Sequence, residues 1–203
     1  MLSDILPTGY EIGVINGAVK EGDVVAVVGV GPVGLAAVMT AAAQGAAKVI
    51  AVDGNKFRLE ESRAFGATDT VDASSDNLVE ELKKHSRDGL GVDVAIEAVG
   101  IPETFTLAPD SIRPGGRVAN VGVHGAPVNL PLDRDWINNI TITTGLVNAT
   151  TAPELLEKIK AGEIDPGKFV THRFTFDQML EAYDTFARAA DEHAIKVIIT
   201  NEA

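Results

Sequence analysis

The stretch Val27-Val28-Gly29-Val30-Gly31-Pro32-Val33-Gly34 decides how the rest of the chain is read. Just before it, Val24 to Gly29 is a short β-branched run bounded by Glu21-Gly22-Asp23, the pattern of a strand buried on both faces. Just after it, Val33 to Ala43 is rich in Ala, Leu and Met and stops at Gln44-Gly45, the pattern of a buried helix with a glycine stop. The glycines therefore fall at a strand-to-helix turn with the spacing G-x-G-x-x-G. Gly29 permits the tight turn, Gly31 lets the backbone approach a pyrophosphate, and Gly34 lets the helix pack closely on the sheet. The helix amino end then offers unpaired N–H groups and a positive dipole end to phosphates. Pro32 suits the first helical position, where its missing N–H would have had no partner.

Such a turn alone is a weak sign, and a second element strengthens it. Asp53 closes the next strand, Val49 to Asp53, about 20 positions after Gly34, where a carboxylate accepts hydrogen bonds from ribose hydroxyls. The competing reading of Asp53 is a helix cap before Gly54-Asn55. Arg58, one turn into the following helix, reaches the same ribose or a phosphate, or else is a solvated helix residue. Together these positions point to a dinucleotide. A methyltransferase also uses a glycine-rich first turn and an acid after its second strand, but the Gly34-Leu35-Ala36-Ala37 packing face favours the dinucleotide.

Strand-like and helix-like segments alternate outward from this unit. Lys56 to Phe65 reads as a helix, Asp69 to Val71 as a brief strand, and Leu78, Val79 and Leu82 as the stripe of a helix introduced by Ser75. Val92 to Ile96 is a strand ending at Glu97-Ala98-Val99-Gly100, Thr104 to Leu107 a short helix, Arg113 to Gly116 a turn, Arg117 to Val121 a strand, and Ile140 to Thr144 a sixth strand. The predicted fold class is α/β: a doubly wound parallel sheet (Rossmann fold) of order 3-2-1-4-5-6, with its crevice at the carboxyl ends of strands one and four and a short C-terminal α+β segment. In that segment Thr151-Ala152-Pro153-Glu154 looks like a capping box before Leu155, Leu156 and Ile159 on one helix side. Thr175 to Gln178 repeats the signal before Leu180, Tyr183 and Phe186, and Ala194 to Thr200 is a last strand.

Composition removes several function classes. The 203 residues contain no Cys, 45% are hydrophobic and 23% charged, and the net charge is −12. A disulfide framework, a thiolate zinc site and a cysteine nucleophile are excluded. The acidic balance argues against nucleic acid and anionic membranes as partners. No apolar run is long enough for a spanning helix, and no signal peptide is read, so the expected location is cytoplasmic.

The chain resembles the zinc-dependent alcohol dehydrogenases of the medium-chain dehydrogenase/reductase family over nearly its whole length. The resemblance is carried by Asp4-Ile5-Leu6-Pro7-Thr8-Gly9-Tyr10, Gly22-Asp23-Val24-Val25, the glycine turn, Phe65-Gly66-Ala67-Thr68, Arg113-Pro114-Gly115-Gly116-Arg117 and Thr171-His172-Arg173-Phe174. It implies an NAD cofactor, zinc in the intact family protein, an alcohol or carbonyl substrate, and a homodimer or tetramer. It also implies three segments: residues 1–20 as an interdomain helix remnant, 21–150 as the cofactor domain, and 151–203 as a segment returning to a GroES-like catalytic domain that this sequence lacks. Ile5, Leu6 and Phe174 are then expected to be exposed, and the chain alone to oxidise no alcohol.

By position, the resemblance implies that Asp4 matches a protein ligand of the catalytic zinc, with a helix cap as the alternative. Thr8 matches a catalytic-site residue against the nicotinamide ring, and Val33 a side chain on the ring's other side. Val99 matches an apolar wall near the adenine. Val121, Gly122 and Val123 match a backbone segment bonding the carboxamide, and Gly145 lies in a run close to the nicotinamide. Among the histidines, His124 follows the fifth strand and faces the crevice, while His85, His172 and His193 read as solvated, structural and loop residues. A non-catalytic dinucleotide-binding or dimerisation module and a zinc-free reductase relative remain as alternatives.

Overall fold

All five residues of β1 (Val24–Val28) are buried, as expected where helices cover both faces of a parallel sheet. The structure, a computed structural model, describes residues 1–201. Compactness divides it into two units, Met1–Ile164 and Asp165–Ala203.

The first unit opens with α1 (Ile5–Pro7), which continues directly as a π-helix (Thr8–Ile15). After β1 come α2 (Pro32–Ala43), β2 (Lys48–Asp53), α3 (Lys56–Ala64), β3 (Asp69–Asp72), α4 (Leu78–His85) and β4 (Val92–Glu97). Then follow α5 (Pro102–Ser111), β5 (Ile112–Asn120), α6 (Leu132–Asp135), β6 (Thr141–Thr144) and α7 (Ala152–Lys160). The six strands are parallel in the order β3-β2-β1-β4-β5-β6, as the alternating pattern predicts.

One sheet face packs Val24, Ala26 and Val28 with Ile50, Val52 and Val71, and Leu82 of α4 and Ala108 of α5 close it. Each such aliphatic side chain contributes roughly 1.5–3 kcal/mol on burial. On the other side the π-helix crosses α2 and β4. A Cβ on Gly9 would fall 2.6 Å from the Ala37 nitrogen, and one on Gly13 would fall 3.2 Å from Ile96 Cγ2. Small residues at these points allow the close crossing.

Several local expectations change. Thr151-Ala152-Pro153-Glu154 forms no capping box, because both side chains are taken elsewhere: the Thr151 hydroxyl donates to Glu11, and Glu154 accepts from Tyr10. Ser75 does not cap α4; Asn77 stands at that position and the Ser75 hydroxyl donates to Glu81. In α7, Leu155 is fully buried while Leu156 is 40% exposed, so the two do not share a face. Ile5 and Leu6, expected to be exposed, are buried, since α1 packs against α2 and α7. The helix expected at Thr104 to Leu107 is the longer α5, and Arg113 to Gly116 lies inside β5 as an irregularity where its register with β4 shifts.

The second unit pairs β7 (Val170–Thr175) with β8 (Lys196–Thr200) in parallel, with α8 (Met179–Ala187) between them. The capping box at Thr175 and Gln178 forms as predicted, ahead of a short 3-10 turn.

Candidate functional site

Where β1, β2 and β4 end, a cleft of about 390 Å³ opens. Its lining brings together five residues that the sequence reading assigns to a cofactor: Gly29, Gly31, Asp53, Arg58 and Val99, joined by Thr104. A crevice between the first and fourth strands is where the strand order reverses, and chains leaving in opposite directions leave room for a ligand.

The three glycines divide their roles on physical grounds. Gly29 has φ +87°, and a Cβ there would fall 2.4 Å from Val99 Cγ2. Gly34 has no room at all: its Cβ would lie 1.8 Å from the Gly29 carbonyl oxygen, so the start of α2 is pressed onto the end of β1. Gly31 is different. Its φ of −67° suits any residue, and the nearest atom to a Cβ would be Arg58 Nη1 at 3.9 Å. Nothing in the folded protein requires glycine there, so the space is open to something outside the chain. Pro32 and Val33 form the first turn of α2 behind it, and Pro32 occupies the first helical position as predicted.

Asp53 organises the turn. Its Oδ2 accepts from the Val30 N–H at 2.9 Å and its Oδ1 from the Asn55 N–H at 2.8 Å. The helix-cap reading belongs to Asn55 instead, whose side chain accepts from the Arg58 N–H. Arg58 Nη1 lies 3.9 Å from Asp53 Oδ2, so its guanidinium stands over the cleft rather than in free solvent.

Glu97 is the residue the sequence reading passed over. It is fully buried at the end of β4, and its Oε1 accepts from the N–H groups of Val99 (2.9 Å) and Gly100 (2.8 Å) and from the Thr104 hydroxyl (2.7 Å). This carboxylate fixes the cleft wall that carries Val99. Its Oε2 faces His124 Nε2 at 3.6 Å. The available signal was an acid closing an apolar strand just before Gly100, whose φ is +88°. His124 does not line the cleft: Nε2 pairs with Asn120 Oδ1 at 2.8 Å and the ring stands edge-on to Phe105.

The remaining assigned residues lie outside the cleft lining. Val121 and Gly122 donate their N–H groups to the Glu97 carbonyl, while the Val123 side chain is 90% exposed. A Cβ on Gly145 would meet Ile12 Cδ1 and Asn16 Nδ2, both at 3.2 Å, so that residue packs on the π-helix. Thr8 begins the π-helix, and its hydroxyl donates to the Asp4 carbonyl at 2.8 Å and lies 3.3 Å from Asp4 Oδ1. The Asp4 carboxylate is exposed and does not cap α1. His85 ends α4 with Nδ1 3.4 Å from Asp69, His172 lies on β7, and His193 sits in a loop with φ +54°.

Comparison with known proteins agrees with this fold. The solved structure of zinc-dependent alcohol dehydrogenase 2 from Streptococcus pneumonia, in its apo form, is 50% identical with a TM-score of 0.92, over 98% of this chain and 57% of that one. An alcohol dehydrogenase of Cupriavidus necator is 35% identical across 94% of this chain and 53% of its own length. The NADP-dependent isopropanol dehydrogenase of Entamoeba histolytica is 35% identical across 86% of this chain and 49% of its own. The chain thus spans about half the length of the curated relatives it matches. The sequence profile of the zinc-binding dehydrogenases matches residues 32–161, which run from the first turn of α2 through every later strand of the large sheet. With fold, glycine turn and profile in agreement, this chain belongs to the zinc-binding dehydrogenase family.

Proposed function

We propose that this chain is the NAD(H)-binding portion of an alcohol dehydrogenase, holding the dinucleotide in the cleft between β1 and β4. The observation that carries the reading is the contrast between Gly34, where the protein's own packing leaves no room for a side chain, and Gly31, beside which the cleft is open. In this reading the pyrophosphate lies over Gly31 at the amino end of α2, where N–H groups and the helix dipole favour it. Asp53 holds the adenosine ribose, Val99 covers the adenine, and Arg58 faces a phosphate. Thr8, Val33, Val121, Val123 and Gly145 border the nicotinamide end. The nicotinamide, when bound, accepts or returns the hydride exchanged with an alcohol or carbonyl substrate.

A catalytic zinc takes three protein ligands. Asp4 supplies one carboxylate, and among the described residues no group of three or more His, Cys, Asp or Glu could hold a metal ion. The described residues do not form a zinc site by themselves, so no step is assigned to the metal. No helix among them is long and apolar enough to cross a membrane. The cysteine-free composition fits a cytoplasmic location. The edge position of β6, β-branched and free of Lys and Pro, fits pairing with a second copy of the chain.

Preference for NAD(H) over NADP(H) follows from Asp53. A 2′-phosphate about 4 Å from its carboxylate would be repelled by about 4 kcal/mol at an effective dielectric of 20, less after solvent relaxation. Titrating both reduced cofactors by fluorescence against wild type and Asp53→Gly tests this. The expected result is tighter NADH binding by wild type and a narrowed difference in the variant. Tighter NADPH binding by wild type, in line with the Entamoeba histolytica relative, overturns the assignment.

A further inference from the structure

The segment between β6 and α7, Gly145 to Thr151, forms no helix or strand, yet its donors converge on a single side chain. Glu11 Oε2 accepts from the N–H groups of Asn148 (3.1 Å) and Ala149 (3.2 Å). Its Oε1 accepts from the Thr151 N–H (2.9 Å) and the Thr151 hydroxyl (2.8 Å). Glu11 is buried, at 8% exposure, on the π-helix. The preceding residue makes a parallel contact: the Tyr10 hydroxyl donates to Glu154 Oε1 at 2.6 Å, in the first turn of α7.

Taking a carboxylate out of water is unfavourable unless its lone pairs are satisfied, and these four donors, with the Thr150 hydroxyl at 3.5 Å from Oε1, satisfy them here. What those bonds secure is a loop with no ladder of its own. That loop leaves the carboxyl end of β6, the same end of the sheet at which β1, β2 and β4 form the cleft. Asp53 lies on the β2 side of β1, so a dinucleotide bound from Asp53 across β1 runs toward the β4, β5 and β6 ends. Gly145 lies close to Ile12 of the π-helix and to Asn16 just after it, and the Thr143 hydroxyl lies 3.3 Å from the Asn16 carbonyl. A π-helical stretch is uncommon and clusters at functional sites.

We infer that Glu11 is a positioning residue: it fastens the Gly145–Thr151 loop to the π-helix, so that the loop and Thr8 form one rigid wall at the end of the crevice remote from Asp53. This rests on the cofactor reading above. With the loop released, a ligand reaching the far end loses its wall, while one confined to the Asp53 cleft does not.

The test uses the full chain as wild type, Glu11→Gln, Glu11→Ala and Thr151→Val. NADH affinity is read by fluorescence, AMP affinity by calorimetry, and amide exchange at Asn148, Ala149 and Thr151 by NMR. Glu11→Ala is expected to weaken NADH about tenfold or more, in line with the cost of small misplacements, while AMP changes less than about twofold. Glu11→Gln, which keeps one acceptor oxygen, should fall between. The three amides should lose protection in the two Glu11 variants while Val121 and Gly122 keep theirs. A purely structural role would lower the melting temperature but shift NADH and AMP by the same factor. That result, or unchanged exchange at the three amides, overturns the proposal. If wild type binds neither ligand, the cofactor reading fails, and the exchange data alone decide whether Glu11 fastens the loop. If Glu11→Ala does not fold, Glu11→Gln carries the same comparison, and Thr151→Val, which keeps the three backbone donors, is expected to weaken NADH less.

Discussion

Gly31→Ala and Gly34→Ala insert the same methyl group three residues apart and should give opposite phenotypes. At Gly31 the new Cβ has no atom nearer than Arg58 Nη1 at 3.9 Å, and the backbone already has a conformation that alanine adopts. Reduced freedom of the unfolded chain stabilises by about 0.4–1 kcal/mol. Gly31 is also the N-cap of α2, where glycine is preferred over alanine by a similar amount. The two terms nearly cancel, so the melting temperature should move by no more than about 2 °C. Dinucleotide affinity should nonetheless fall about tenfold to a hundredfold, equivalent to about 1.4–2.7 kcal/mol, because the methyl occupies the place proposed for the pyrophosphate. At Gly34 the Cβ would lie 1.8 Å from the Gly29 carbonyl oxygen. The start of α2 must retreat by more than about 1 Å, an overpacking that costs about 3 kcal/mol. For a chain of this size that is a fall of roughly 6–12 °C. Differential scanning fluorimetry and NADH titration on both variants measure the four quantities. If Gly31→Ala binds NADH as wild type does, the ligand assignment of the cleft is refuted. If Gly34→Ala melts with wild type, the packing argument is refuted.

Three further outcomes follow from the same structure. Glu97→Ala strands the donors of Val99, Gly100 and Thr104, so urea unfolding should show a loss of about 3 kcal/mol and weaker AMP binding; an unchanged midpoint would contradict the role assigned to Glu97. Although burial pushes the Glu11 carboxyl up, hydrogen bonds from Thr151, Asn148 and Ala149 outweigh it and hold the folded value below the usual 4.5. Its stabilisation is therefore complete above that value and lost as pH falls below it, so the stability gap between wild type and Glu11→Gln should shrink as pH falls through and below 4.5 in urea titrations; a gap that widens on acidification contradicts the sign. Thr144→Lys places a charge at the exposed end of the edge strand β6, and light scattering is expected to report a dimer for wild type and a monomer for the variant; equal masses for both would exclude pairing through this strand.

The parts of this fold legible in the sequence are those governed by short-range physics. A short β-branched run between a turn and a glycine reads as a buried strand, and its alternation with helical segments points to a doubly wound sheet. That the glycine turn and Asp53 line one cleft was legible for the same reason, since their placement depends on a fixed local spacing. The tertiary structure decided everything that hangs on partners distant in sequence. Thr151 and Glu154 have the spacing of a capping box, but Glu11 and Tyr10, roughly 140 residues earlier, take both side chains. Ile5 and Leu6 look like residues awaiting another domain, but α2 and α7 bury them. Glu97 is an ordinary acid at a strand end until folding removes it from water and surrounds it with three donors. A carboxylate's role depends on which dipoles reach it and on how much water remains, and both are properties of the assembled chain rather than of its order.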